Sequence, residues 1–143
     1  MPSPAVHALP LRVYAADTDA SGIVHHAQYL VFAERARTEM LRDHGLALDT
    51  LADVAAGFWV VRGVSATYRQ PARLDDEVIM LSRVVGVRGA SCDIEQRATR
   101  GSDVLAEMRL TVAYLTADGR PRRQPPEWRA RLETLAADAR GAW

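Results

Sequence analysis

Over residues 27–44 the apolar side chains Tyr29, Phe32, Ala33, Ala36 and Met40 recur every three or four positions, the spacing of one stripe along a helix. Glu34, Arg35, Arg37, Glu39 and Arg42 occupy the positions between them, so the segment predicts one long amphipathic helix with a charged outer side. Ala33 and Ala36 are small enough to let a sheet come close to the helix axis. His44 and Gly45 suit its C-terminus, a partial cation against the dipole followed by a residue that tolerates positive φ. Beyond a polar link the period falls to two. The run FWVVRGVSATYRQ (58–70) is β-branched and aromatic and stops at Pro71. EVIMLSRVVGVR (77–88) is apolar enough to be covered on both faces for part of its length. After Gly89, Cys92, Ile94, Gln96 and Ala98 alternate with polar neighbours. In residues 103–116, Val104, Ala106, Met108, Leu110, Val112 and Tyr114 share one face, and Asp118-Gly119 closes that strand with a turn.

At the start of the chain, residues 10–16 read as a short strand and DTDASG (17–22) as a turn built from short polar side chains and a glycine. PPEWRARLETLAADAR (125–140) opens with prolines and carries Trp128, Leu132 and Leu135, a short terminal helix. The order is strand, long helix, four strands joined by short links, and a last helix. That order predicts an α+β domain, an antiparallel sheet with one helix against one face. One helix covers only part of such a sheet, so the exposed edge is expected to pair with a second copy, giving a homodimer or a homotetramer.

Composition narrows the function classes. The 143 residues suit one domain spanning 1–143, with its core at about 10–120. Eighteen basic residues balance eighteen acidic ones, which leaves no net field to draw the chain to nucleic acid. All the basic residues are arginines; the chain has no lysine, which excludes a lysine Schiff base and a Walker-type phosphate loop. No apolar stretch reaches the roughly 20 residues of a membrane span. The opening MPSPAVHALPL has neither a basic n-region nor a sustained apolar h-region. The single cysteine, Cys92, cannot form an internal disulfide and fits a reducing compartment. A cytoplasmic protein is expected.

Candidate chemistry concentrates where the long helix begins. Asp17, Asp19, His25 and His26 crowd that point, yet their spacing matches no metal signature, and adjacent histidines diverge; no metal and no cofactor are expected. Asp17 and Asp19 are equally suited to tying down a turn, and spacing does not choose between them. Cys92, in an apolar row, reads as a buried inert thiol. No G-x-S-x-G elbow and no dinucleotide glycine fingerprint occur. His7 and His44 read as solvent-facing. Arg62, Arg69, Arg73, Arg83, Arg88, Arg97 and Arg100 lie on or beside strands as solvated surface, with a few available to clamp phosphates.

The stretch VYAADTDASGIVHHAQYLVFAERARTEML resembles the N-terminal signature of the 4-hydroxybenzoyl-CoA thioesterase family of hotdog proteins, in particular its YbgC-type acyl-CoA thioesterase branch. FWVVRGVSATYRQPARLDDEV (58–78) resembles the second strand and loop of the same branch. The resemblance implies a hotdog fold, a long helix wrapped by a curved antiparallel sheet of about five strands, assembled as dimers or tetramers. It implies hydrolysis of an acyl-CoA, or of an acyl carrier protein thioester, to a free acid. It places the catalytic carboxylate on Asp19 and the helix-start residue on His26. The branch often reads Y-Y-E-D-T-D; here Ala15 and Ala16 replace an aromatic and an acid, and Tyr14 is the tyrosine that remains.

Thioester chemistry suits these residues. The leaving thiol has a pKa of about 8.5, so the thiolate departs without a metal or a serine triad. Polarising the carbonyl and delivering a nucleophile suffice. A helix N-terminus offers free N–H groups for the developing oxyanion. Asp19 then acts as general base on a water or as nucleophile, with the His26 ring orienting it. Tyr14, Tyr29, Trp59 and Tyr68 are assigned to the acyl-binding wall, beside Phe32, and Arg88 to the coenzyme A phosphates. The competing non-enzyme reading is a hotdog module that binds acyl-CoA or a carrier protein without turning it over.

Overall fold

The computed structural model describes residues 5–46 and 57–143; most of the link expected after Gly45 lies outside the described residues. Five strands form one antiparallel sheet: β1 (His7–Arg12), β2 (Phe58–Tyr68), β3 (Glu77–Val87), β4 (Ser91–Arg100) and β5 (Asp103–Leu115). They are ordered β1-β3-β4-β5-β2. The helix α1 (Gln28–Asp43) lies in the concavity, and a second helix, α2 (Pro126–Asp138), packs beside it. The fold is the α+β arrangement that the patterning predicts. No helix among the described residues is long and apolar enough to cross a membrane.

The sheet curves because its ladder slips three times. Register shifts fall between Val61 and Gly63, between Val84 and Gly86, and between Ala98 and Thr99, and each extra residue bends its strand and raises the local twist. The stripe Tyr29, Phe32, Ala33, Ala36 and Met40 is buried as the spacing predicts. Its first four residues meet Val78, Met80, Ala98, Ala106 and Met108 from the sheet in one cluster, while Met40 joins Val84, Cys92, Ile94, Leu132 and Leu135 in a second beneath α2.

Where Ala33 and Ala36 let the sheet close in, Gln96 crosses the gap. Its Nε2 donates to the Ala33 carbonyl at 2.9 Å and to Ser82 Oγ at 2.8 Å. Its Oε1 accepts from Arg37 Nη1 at 3.0 Å. Gln96 and Ser82 are fully buried, so the carboxamide spends its hydrogen-bonding capacity inside the core.

Three local expectations differ. The first strand is His7–Arg12 rather than 10–16, because β1 pairs with β3 from His7↔Ser82 to Arg12↔Glu77 and the chain then coils into a 3-10 turn at Ala15–Asp17. Pro10 is tolerated because β1 is an edge strand with one neighbour. His7 does not face solvent freely: its Nε2 meets Asp43 Oδ2 at 2.9 Å. Nor does His44, whose Nδ1 lies 2.8 Å from the Met40 carbonyl, one turn earlier on the helix it ends.

At the other edge β2 pairs only with β5, and Val61 and Val64 on it remain 47% and 46% exposed. Because Gln96 is the polar link between α1 and the sheet centre, Gln96→Leu should destabilise the protein by about 2–4 kcal/mol, from lost bonds and stranded Arg37 and Ser82 groups. The shift in the urea unfolding midpoint measures this; an unchanged midpoint removes the link from the energetics.

Candidate active site

The loop between β1 and α1 is built around Asp17. Its Oδ2 accepts from the Tyr14 amide at 2.8 Å and its Oδ1 from Gln28 Nε2 at 3.0 Å, while its carbonyl accepts from the His25 amide at 3.1 Å. Both carboxylate oxygens are therefore engaged in holding the 3-10 turn against the first turn of α1. Asp19 is placed differently. Its Oδ1 accepts from the Ser21 amide at 2.8 Å, an Asx turn, and its backbone pairs with Ile23 and Gly22. Oδ2 has no partner among the described residues. The geometry thus separates the two aspartates that spacing leaves equivalent: Asp17 is structural and Asp19 is available.

The entry to α1 is left uncapped by any side-chain bond at Ala27. His25 Nδ1 accepts from the Ala27 amide at 3.2 Å, Gln28 N–H goes to the His25 carbonyl, and the His26 carbonyl accepts from Tyr68 Oη at 2.9 Å. The His26 amide donates to no group among the described residues, leaving one N–H at the positive end of the helix unspent. The His26 ring packs against His25 at a tilt, with centroids 4.3 Å apart, and meets Tyr68 edge-on at 6.5 Å.

These groups converge on one cavity of about 400 Å³, lined by Asp19, His26, Tyr29, Tyr68, Gln70 and Pro71 among others. Tyr29 presents its ring there and anchors its hydroxyl by accepting the Ala72 amide at 3.0 Å; burial raises its pKa above the ordinary phenol value. Its ring lies 5.4 Å from that of Tyr68. Of the residues singled out from sequence, Asp19, His26, Tyr29 and Tyr68 are brought together.

Tyr14, Trp59 and Arg88 are not. Tyr14 points outward, 67% exposed. Trp59 stands at the far end of β2, stacked on Trp128 at 4.5 Å and against Tyr114 at 4.6 Å. Phe32 is core. Arg88, in the β3–β4 hairpin, grips Asp93 through two bonds of 2.9 and 2.8 Å and Ser91 Oγ through Nε. The Arg88 bonds hold the Asp93 carboxyl at about 2, Thr111 helping and partial burial opposing. Cys92 is buried, and that burial raises its thiol to about 12. Gln70 and Pro71 read in the sequence only as the end of a strand, and their one signal is their place just after Tyr68. Among the described residues no cluster of three or more histidines, cysteines or carboxylates is arranged to hold a metal.

A helix laid in the hollow of a curved five-stranded antiparallel sheet is the hotdog architecture of thioesterase folds. Residues 13–134 match the family model described as the thioesterase-like superfamily, and the chain belongs to that family, in its YbgC-type branch. An acyl-CoA thioester hydrolase YbgC of Escherichia coli O6:H1 is 44% identical over 96 residues, which cover 67% of this chain and 71% of that protein. A probable thioesterase from Bartonella henselae superposes with a TM-score of 0.79 at 37% identity, over 84% of this chain and 99% of that one. A thioesterase from Thermus thermophilus, solved with coenzyme A and zinc, gives 0.79 at 27% identity over 96% and 98%.

Asp93 carries a pH prediction. Its folded pKa is depressed, so its contribution to stability is present above the unfolded carboxylate range and is lost as pH falls toward 2. The stability advantage of wild type over Asp93→Asn, read from urea midpoints, should be full at about pH 6 and shrink progressively below about pH 4. A gap that stays constant with pH contradicts the ion pair.

Proposed function

We propose that the chain is an acyl-CoA thioesterase whose catalytic carboxylate is Asp19. The observation that carries this reading is one cavity lined by both Asp19, whose Oδ2 is unpartnered among the described residues, and His26, whose amide is unspent among them. The curated relatives act as acyl-CoA thioester hydrolases, and one solved neighbour holds coenzyme A; both support it. In this reading the thioester carbonyl oxygen accepts the His26 N–H, where charge developing on oxygen meets the positive end of α1; one such donor is worth about 10²–10³ in rate. Asp19 takes a proton from an attacking water, or itself adds to the carbonyl to give an anhydride that water then cleaves. In either route the C–S bond breaks, the thiolate leaves, and the acid is released. The His26 ring, over the cavity, orients the acid or the water. Tyr68 holds the His26 carbonyl and so sets the direction of the adjoining peptide. Tyr29 and Tyr68 form the wall against which the acyl group packs.

The same reading includes a homodimer formed through β2. Its outer edge is unpaired among the described residues over eleven residues, and such an edge invites strand addition. Val61 and Val64, half exposed, would be covered by the partner. A coenzyme A thioester or a carrier-protein thioester presents the same reacting group to this site.

Thiol release from short-chain, long-chain and aromatic acyl-CoAs tests the chemistry. Wild type should hydrolyse at least one class, and Asp19→Asn should lower kcat at least about a hundredfold while retaining the fold. Equal rates in the two proteins remove Asp19 from the chemistry; no release from any thioester leaves an acyl-binding module instead. For the assembly, Val64→Pro on the open edge should shift the protein from dimer to monomer in sedimentation, and an unshifted dimer places the interface elsewhere.

A further inference from the structure

Further along α1 from Asp19 lies a second cavity, of about 280 Å³, between α1, the start of β2, β4, β5 and α2. Trp59, Ile94, Val112, Trp128 and Leu132 give it apolar walls, and Arg37 reaches into it from α1. Arg37, on α1, differs from six arginines of the sheet. Arg69, Arg83, Arg88, Arg97, Arg100 and Arg109 each meet a carboxylate within 4.0 Å. Arg37 has no such partner among the described residues; its one hydrogen bond runs from Nη1 to the neutral carboxamide of Gln96. Burial lowers its pKa from the ordinary guanidinium value, with the charge of Glu34 opposing. Glu34, one turn earlier, also lines the cavity but lies beyond ion-pair distance.

A partly buried guanidinium without a counter-ion is unfavourable, and the planar fork that Gln96 leaves mostly unused matches a carboxylate bidentately. Apart from the α1 side, which carries Glu34, Arg37 and Thr38, the walls are apolar, so the occupant combines one anionic end on Arg37 with a hydrophobic body. Its charge is single: a phosphate would bring a second charge toward Glu34 and into aromatic walls. The volume, near the lower end for ligand sites of about 300 Å³, limits the body to one ring or a short alkyl chain. We propose that this cavity is a binding site for a small amphipathic monocarboxylate, its carboxylate on Arg37 and its body between Trp59 and the Ile94–Val112 floor. Along α1 it begins between one and two turns from the Asp19 cavity, Tyr29 lining that one and Glu34 this one, about 8 Å apart along the helix axis. Such a ligand is of the chemical class of the acid that thioester hydrolysis releases, but the site does not depend on that reading, because binding is measured without a thioester.

The test titrates the full-length protein with 4-phenylbutyrate and with 4-phenylbutyramide, by calorimetry and by tryptophan emission. Two of the three tryptophans, the stacked pair Trp59 and Trp128, line the cavity. The acid should bind at least about tenfold more tightly than the amide and change the emission. Arg37→Gln should bring the two compounds to equal affinity, Arg37→Lys should retain part of the preference, and Asp19→Asn should leave both affinities unchanged. The comparison of acid with amide needs no variant, so a folding defect in Arg37→Gln does not protect the proposal. Equal affinity of acid and amide for wild type, no binding of either, a preference that survives Arg37→Gln, or one lost in Asp19→Asn overturns it.

Discussion

One buried carboxamide sets the position of α1 above the sheet. Gln96 touches the helix backbone at Ala33, the helix side chain at Arg37 and the neighbouring strand at Ser82. It can do so only because Ala33 and Ala36 bring the helix axis close. A larger residue at either place would lift α1 by more than a hydrogen bond spans, and a buried carboxamide left unpaired is costly. The helix is therefore held at its middle by the Gln96 bonds, and near its ends by those of Gln28, Tyr29 and Asp43. Both cavities depend on that placement, since each is the space left between α1 and β2 on either side of the anchor.

The parts of this fold legible in the sequence are those in which one physical demand dominates a long run of residues. The α1 stripe and the β5 alternation read correctly because each faces the core along its whole length. The β1 boundary is not legible, because a short edge strand with one neighbour imposes little pattern and Pro10 argues against it locally. His7 and His44 look like surface residues in sequence because their partners are far off or in the backbone: Asp43 is 36 positions from His7, and the Met40 carbonyl carries no side-chain signature. At the site, the acid-rich turn before the helix is visible, but which aspartate is free is not. That depends on Tyr14 and Gln28 consuming both oxygens of Asp17. Trp59 groups with Tyr68 in the sequence because both are aromatic residues of one strand; the length of that strand separates them.

The charge balance of the chain is also a local arrangement. Across the outer face of the sheet, Arg88, Asp93, Arg109, Glu95 and Arg83 form a continuous chain of ion pairs, the cross-strand placement of opposite charges that favours antiparallel pairing. Arginines that look like solvated surface in the sequence are thus mostly committed to structure. Trp143 lies on the same face, with the Arg83 and Arg97 guanidinium carbons 4.4 and 4.5 Å from its ring centroid.

The bulge in β2 has the arithmetic of a phase shift. Trp59 and Tyr68 are nine positions apart, and an odd separation on a regular strand puts two side chains on opposite faces. Their partners on β5, Tyr114 and Ala106, are eight apart, so the slip between Val61 and Gly63 absorbs one residue. Before it the odd positions 59 and 61 face inward; after it the even positions 64, 66 and 68 do. By leaving Arg62 unpaired, the bulge absorbs the mismatch and joins the two half-strands into one continuous inner surface. The same residues paired without the slip would turn one of the two aromatic ends away from the helix, whereas a chain shortened by Arg62 would keep both on the inner face as a regular strand.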